Sequence, residues 1–134
     1  MEPTFEALTE AAGRFLPGLV GVEVDSVGDG VVRAHLDLRE ELLAPNGYLH
    51  AASVIALADT ACGYGCLLGL PDGGVGFTTI ELKTNFVRTA CEGTITCEAR
   101  LVHGGRTTQL WDATVSDGGG RPLALFRCTQ LILR

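Results

Sequence analysis

From Ala51 to Leu70 the chain reads AASVIALADTACGYGCLLGL, and its single charged residue is Asp59. A segment apolar on nearly every side belongs in the middle of a protein, wrapped by other elements. A carboxylate there costs several kcal/mol unless a partner offsets its lost hydration. Asp59 is therefore either half of a structural pair or a group placed where the helix opens onto a site. Desolvation opposes its ionisation, yet makes the charge that remains a stronger base. Two turns earlier, at Ala51, the free amides of the first helical turn carry partial positive charge and can bind an oxyanion.

The flanking elements are legible as patterns. Residues 4–16 place Phe5, Leu8, Ala12, Phe15 and Leu16 on one face of a helix that Pro17-Gly18 stops. A strand from Leu19 to Val27 turns at Gly28-Asp29-Gly30 into a second, where Val32, Ala34, Leu36 and Leu38 alternate with polar residues. A loop over 39–49 holds Pro45-Asn46-Gly47, and the central helix spans 51–69. Four further strands are expected: one around Ile80–Phe86, one around Thr94–Leu101, then Thr107–Ser116 and Pro122–Leu133. His103-Gly104-Gly105 should turn between the second and third of these. The last strand reads as apolar on both faces, as a central strand would be. Trp111 and Phe126 are read as core, and the glycines at 63, 65 and 69 as places where helix and sheet approach closely. His35 and His103 read as solvent-facing or turn residues.

One apolar helix and about six strands make an α+β domain over residues 1–134, a curved antiparallel sheet wrapped round the helix. One sheet cannot cover a helix on all sides. The uncovered strip should be buried by a second copy, which predicts an obligate homodimer. The 134 residues carry a net charge of −6, which disfavours nucleic acid as partner. Most acidic residues precede Pro45 and most basic ones follow Glu81, so an anionic ligand can still find positive potential on the later strands. Glu2, Glu6 and Glu10 do not read as a signal peptide, and the central helix, with its Asp and without basic flanks, does not read as a membrane span. Five cysteines without scaffold spacing suit reduced thiols in a cytoplasmic protein. Cys62 and Cys66 share a helical face without a nearby His, which favours packing over metal binding.

The run Pro45-Asn46-Gly47-Tyr48-Leu49-His50-Ala51-Ala52, followed by Ala56-Leu57-Ala58-Asp59, resembles the signature of hotdog-fold acyl-CoA thioesterases, nearest the PaaI-like and hydroxybenzoyl-CoA groups. Asn85–Ala90 and Val102–Thr108 are similar to further segments of that family. The resemblance implies hydrolysis of an acyl-CoA, with aryl or medium-chain acyl groups, by a homodimer or a tetramer of such chains, without metal or redox cofactor. It assigns Asp59 as nucleophile or general base, the Ala51 amide as oxyanion donor, and His50 and Asn46 as positioners of thioester or water. Gly47, Cys62 and Gly63 are placed beside the substrate. By charge, Arg88 and Arg106, with Lys83 as an outside choice, are candidates for the phosphates of coenzyme A, the alternative being exposed strand-end charges. Family members bear Gly-Gly where this chain has Ala51-Ala52, and often Ser or Thr where it has Gly63. Two other activities stay open at this point: an enoyl-thioester hydratase or dehydratase of the same fold, and a non-catalytic acyl-CoA binding module.

Overall fold

The computed structural model describes residues 3–134, so Met1 and Glu2 of the expected domain lie outside the described residues. In chain order the elements are α1 (Phe5–Ala12), α2 (Leu16–Val20), β1 (Glu23–Gly28), β2 (Val31–Asp37), a short 3-10 turn (Glu40–Leu42), α3 (Ala51–Leu68), β3 (Gly76–Phe86), β4 (Thr94–Gly104), β5 (Thr108–Ser116) and β6 (Pro122–Leu133). The six strands form one antiparallel sheet ordered β1-β2-β4-β5-β6-β3, with α3 packed against every strand. This is the hotdog arrangement implied by the sequence.

Two expectations change near the N-terminus. The helix expected over residues 4–16 is two helices: α1 ends at Ala12, and Pro17 lies in the first turn of α2 rather than terminating a helix. Proline suits that place because its fixed φ is helical and no N–H is needed there. Leu19 and Val20 are consequently helical, and the first strand begins only at Glu23. Asp29 and Gly30 turn the β1–β2 hairpin with φ of 54° and 71°, the left-handed pair that a two-residue hairpin requires. Downstream, β4 runs past Leu101 to Gly104 across a bulge, so His103 lies in a strand rather than in the turn.

The inner face of the sheet carries Val32, Ala34, Leu36, Ile95, Cys97, Ala99, Trp111, Ala113, Val115, Ala124, Phe126 and Cys128, all buried against α3. By length and hydropathy α3 could cross a membrane, but 56% of it is buried in this core. Strand β6 is interior, between β5 and β3, yet only its inner face is covered: Leu125 and Leu133 on the outer side are exposed. The inner side also bears the fully buried Gln130, a polar residue in what reads as an apolar run.

Helix and sheet approach closely at two glycines. A Cβ on Gly63 would sit 2.8 Å from Phe77 Cζ, and one on Gly65 2.3 Å from Trp111 Cη2. The Trp111 ring is held by its Nε1–H donating to Gln109 Oε1 (2.8 Å), and Gln109 donates to the Gly69 carbonyl at the end of α3 (3.0 Å). Gly65→Ala is therefore expected to destabilise the protein by about 1–3 kcal/mol through overpacking, despite alanine's better helix propensity. A lowered urea midpoint at unchanged slope checks this.

Candidate active site

The loop before α3 is a built turn. Gly47 adopts φ 89°, its N–H donates to the Ala44 carbonyl, and Asn46 Oδ1 accepts the Tyr48 N–H at 3.1 Å. The turn delivers His50 to the N-cap of α3, where Nδ1 accepts the Ala52 N–H at 2.9 Å. Nδ1 must then carry the lone pair, which leaves Nε2 as the protonated nitrogen, facing away from the helix. The Ala51 N–H has no acceptor among the described residues. His50 is thus a cap whose outer nitrogen can donate, beside a free backbone amide at the positive end of an 18-residue helix.

A cavity of about 520 Å³ opens next to these donors, with an apolar lining that includes Leu16, Leu19, Val20, Leu42 and Leu43. A second cavity of the same size lies between the β1–β2 hairpin and the far end of α3, lined by Phe5, Gly65 and Trp111 among others. It touches neither the helix start nor Asp59, so volume alone does not locate the chemistry.

Asp59 is half-buried on α3. Burial pushes its carboxyl above the usual carboxylate range, against a smaller opposing effect of the hydrogen bond donated by Thr79. Thr79 Oγ1 lies 3.0 Å from Asp59 Oδ1. No cation pairs with Asp59 among the described residues. A structural carboxylate buried for stability would have such a partner, and this one has only a threonine hydroxyl. Asp59 also belongs to a strip of α3 that the fold leaves partly open, with Ala52 exposed and Ile55, Ala56, Asp59 and Thr60 half-buried at i, i+3 and i+4 spacing.

The remaining expected site residues are scattered. Cys62 and Gly63 lie in the core, Cys62 fully buried and Gly63 beneath the Phe77 ring, so neither borders an open site within the chain. The Phe77 ring occupies the space that a side chain at position 63 would need. Arg88 follows β3 near the helix start, its guanidinium donating to the Pro122 carbonyl at 2.6 Å. Arg106 lies at the opposite end of the β3–β6 pair, beside Arg134. An 11-residue strand separates the two arginines by roughly 30 Å, so one chain does not bring both to the same phosphates. Thr79 and Gln130, which do reach the carboxylate's surroundings, escaped the sequence reading. The available signal was a lone glutamine at an inward register position of β6.

Residues 46–124 match the model of the thioesterase superfamily. A 1,4-dihydroxy-2-naphthoyl-CoA hydrolase of Listeria monocytogenes is 29% identical over 110 residues, covering 82% of this chain and 89% of its own. A crystal structure of a mutant of the thioesterase PA1618 from Pseudomonas aeruginosa superposes with a TM-score of 0.90 at 26% identity, over 99% of this chain and 96% of that one. The Escherichia coli PaaI protein shares the fold, with a TM-score of 0.85 at 22% identity over 96% and 90% of the two chains. The helix-borne acid, the capped helix start and these likenesses agree: the chain belongs to the thioesterase superfamily and is a thioester hydrolase of hotdog fold.

Proposed function

We propose that the protein hydrolyses an acyl-CoA to the free acid and coenzyme A, at a site completed by two copies of the chain. The observation that carries this reading is the position of Asp59 relative to the helix start. Asp59 stands eight residues beyond Ala51 on an unbroken helix, about 12 Å along its axis. One carbonyl cannot have its oxygen about 3 Å from the Ala51 amide and its carbon about 3.5 Å from that same helix's carboxylate. A second α3, packed antiparallel on the partly open strip, brings a helix start to the carboxylate of its neighbour. The β3 edge supports the same assembly: it is 11 residues long, unpaired on one side, and shows Leu82 and Phe86 to solvent, with Val87 exposed just past its end.

In this site the thioester oxygen lies against the Ala51 N–H and His50 Nε2–H of one subunit, with the acyl group in the apolar cavity beside them. Asp59 of the other subunit acts by one of two routes. As a base it takes a proton from water, the resulting hydroxide adds to the carbonyl, and collapse of the tetrahedral oxyanion expels the coenzyme A thiolate, which recovers the proton. As a nucleophile it displaces the thiolate to form a mixed anhydride that water then hydrolyses. The cavity's lining favours aryl or medium-chain acyl groups, and Arg88, on the segment that follows β3, is the candidate for the phosphates. Dimers pairing again into a tetramer, and a cytoplasmic setting that keeps all five cysteines free, complete the reading.

Thiol release measured across aromatic and aliphatic acyl-CoAs tests it, with aromatic or medium-chain substrates turned over fastest. Saturable binding without thiol release over the whole panel contradicts it in favour of a binding module. Crotonyl-CoA hydrated without thiol release contradicts it in favour of a hydratase.

A further inference from the structure

Antiparallel register places Thr79 of β3 directly opposite Gln130 of β6, both beneath Asp59. Thr79 Oγ1 lies 3.0 Å from Asp59 Oδ1 and 2.8 Å from Gln130 Oε1, and Gln130 Nε2 lies 3.5 Å from Cys128 Sγ. Gln130 is fully buried, whereas Asp59 Oδ2 has no protein partner among the described residues and is not a sealed atom. A threonine hydroxyl has one proton and cannot donate to two acceptors at once. Two arrangements give each of these contacts one donor and one acceptor. With Asp59 neutral, its O–H donates to Thr79, Thr79 donates to Gln130 Oε1, and Nε2 donates to the Cys128 sulfur. With Asp59 ionised, the Gln130 amide is turned over: Nε2–H donates to Thr79, the Thr79 proton points at Asp59 Oδ1, and Oε1 accepts the Cys128 S–H. The two amide orientations have the same shape, so the buried site accommodates both.

From this geometry we infer that Gln130 and Thr79 are positioning residues for hydrolysis, forming a reversible hydrogen-bond relay that aims the Thr79 proton at Asp59 and leaves Oδ2 free to react. The inference rests on the role of Asp59 proposed above. Gln130 touches no substrate; it acts by donating to Thr79, which holds the hydroxyl in place and polarises its proton toward the carboxylate. A hydrogen bond from a fixed donor favours the charged carboxylate against the desolvation around it. Few other groups compete. The titratable side chains facing this side of α3 are Cys97 on β4 and Cys128 on β6, with Cys62, Cys66 and Tyr64 on the helix itself. The Tyr64 hydroxyl is engaged with Thr9. Burial holds Cys66 and Cys97 up at about 12, so these thiols stay neutral. The charged residues of the strands, including Arg33, Glu98, Arg100, Asp112 and Arg127, point to the outer face, and those of α1 and the 39–41 loop are exposed.

The test compares Thr79→Val, Thr79→Ser, Gln130→Leu and Gln130→Glu with the unsubstituted protein. It reads the pH profile of thiol release and titrates the Asp59 carboxyl directly by carbon NMR. Thr79→Val and Gln130→Leu are expected to lower kcat on the order of tenfold and to move the acid limb and the carboxyl titration to higher pH. Gln130→Glu, kept protonated by the full burial of that position, still offers Thr79 an O–H donor and should leave the limb close to its original place. Thr79→Ser, which keeps the hydroxyl, should stay within about twofold with an unmoved limb. An acid limb and a carboxyl titration unchanged in folded Thr79→Val and Gln130→Leu overturn the relay while leaving Asp59 as the reactive group. Near-normal turnover in Asp59→Asn overturns that assignment itself, and the relay with it.

Discussion

Asp59→Asn loses at least about a hundredfold in thioester hydrolysis while the protein stays folded and keeps its quaternary state. The amide is nearly isosteric and still accepts the Thr79 hydroxyl, but it neither removes a proton from water nor forms an anhydride. The same substitution should raise thermal stability at neutral pH. Burial raises the Asp59 carboxyl above its unfolded value, so its stabilising contribution is present below the ordinary aspartate pKa and is lost as pH rises through the folded one. Neutral asparagine carries no such penalty at neutral pH, and the advantage should vanish in acid, where Asp59 is protonated in both states. Melting curves of the two proteins at neutral and acidic pH, beside the thiol-release assay, check both halves. A variant with lowered stability at neutral pH would identify Asp59 as a structural carboxylate instead.

Ala51→Pro removes the backbone donor and little else. Proline is favoured at the first position of a helix, and the residue before it must be extended; His50 already has φ −71° and ψ 136°. The Ala51 N–H has no acceptor among the described residues, so its loss leaves no structural group unpaired there. The expected result is a loss of about 10²–10³ in kcat, the usual effect of deleting one oxyanion donor, with an unchanged melting temperature. Near-normal kcat in the folded variant would show that the carbonyl oxygen is held elsewhere.

The architecture was legible because its two periodicities are clean. The alternation of Val32, Ala34 and Leu36 with Arg33 and His35 permits only a one-sided strand, and the run around Asp59 permits only a buried helix. Glycines 63 and 65 were legible as contact points because a helix that tolerates them needs a packing reason. Where local rules competed, the reading failed. Pro17 signals both the end of one helix and the start of the next, and only the packing of α2 against α3 decides between them. The bulge in β4 carries His103 on past the point where its glycines suggest a turn. In the site, residues contiguous with the helix start were found because sequence proximity is spatial proximity there. Arg88 and Arg106 were grouped by charge alone, and the length of the β3–β6 pair separates them. Thr79 and Gln130 lie 51 residues apart and meet only through strand register, which no local pattern encodes.

Mixing the two disabled proteins, Asp59→Asn and Ala51→Pro, after unfolding and refolding them together, puts the composite site to its most direct test. If carboxylate and oxyanion donor come from different subunits, each mixed dimer contains one site with both groups intact, and thiol release reappears although neither parent is active. If both groups served the same carbonyl from one chain, every site in the mixture would still lack one of them. Mixed dimers that form but remain as inactive as their parents would contradict the account.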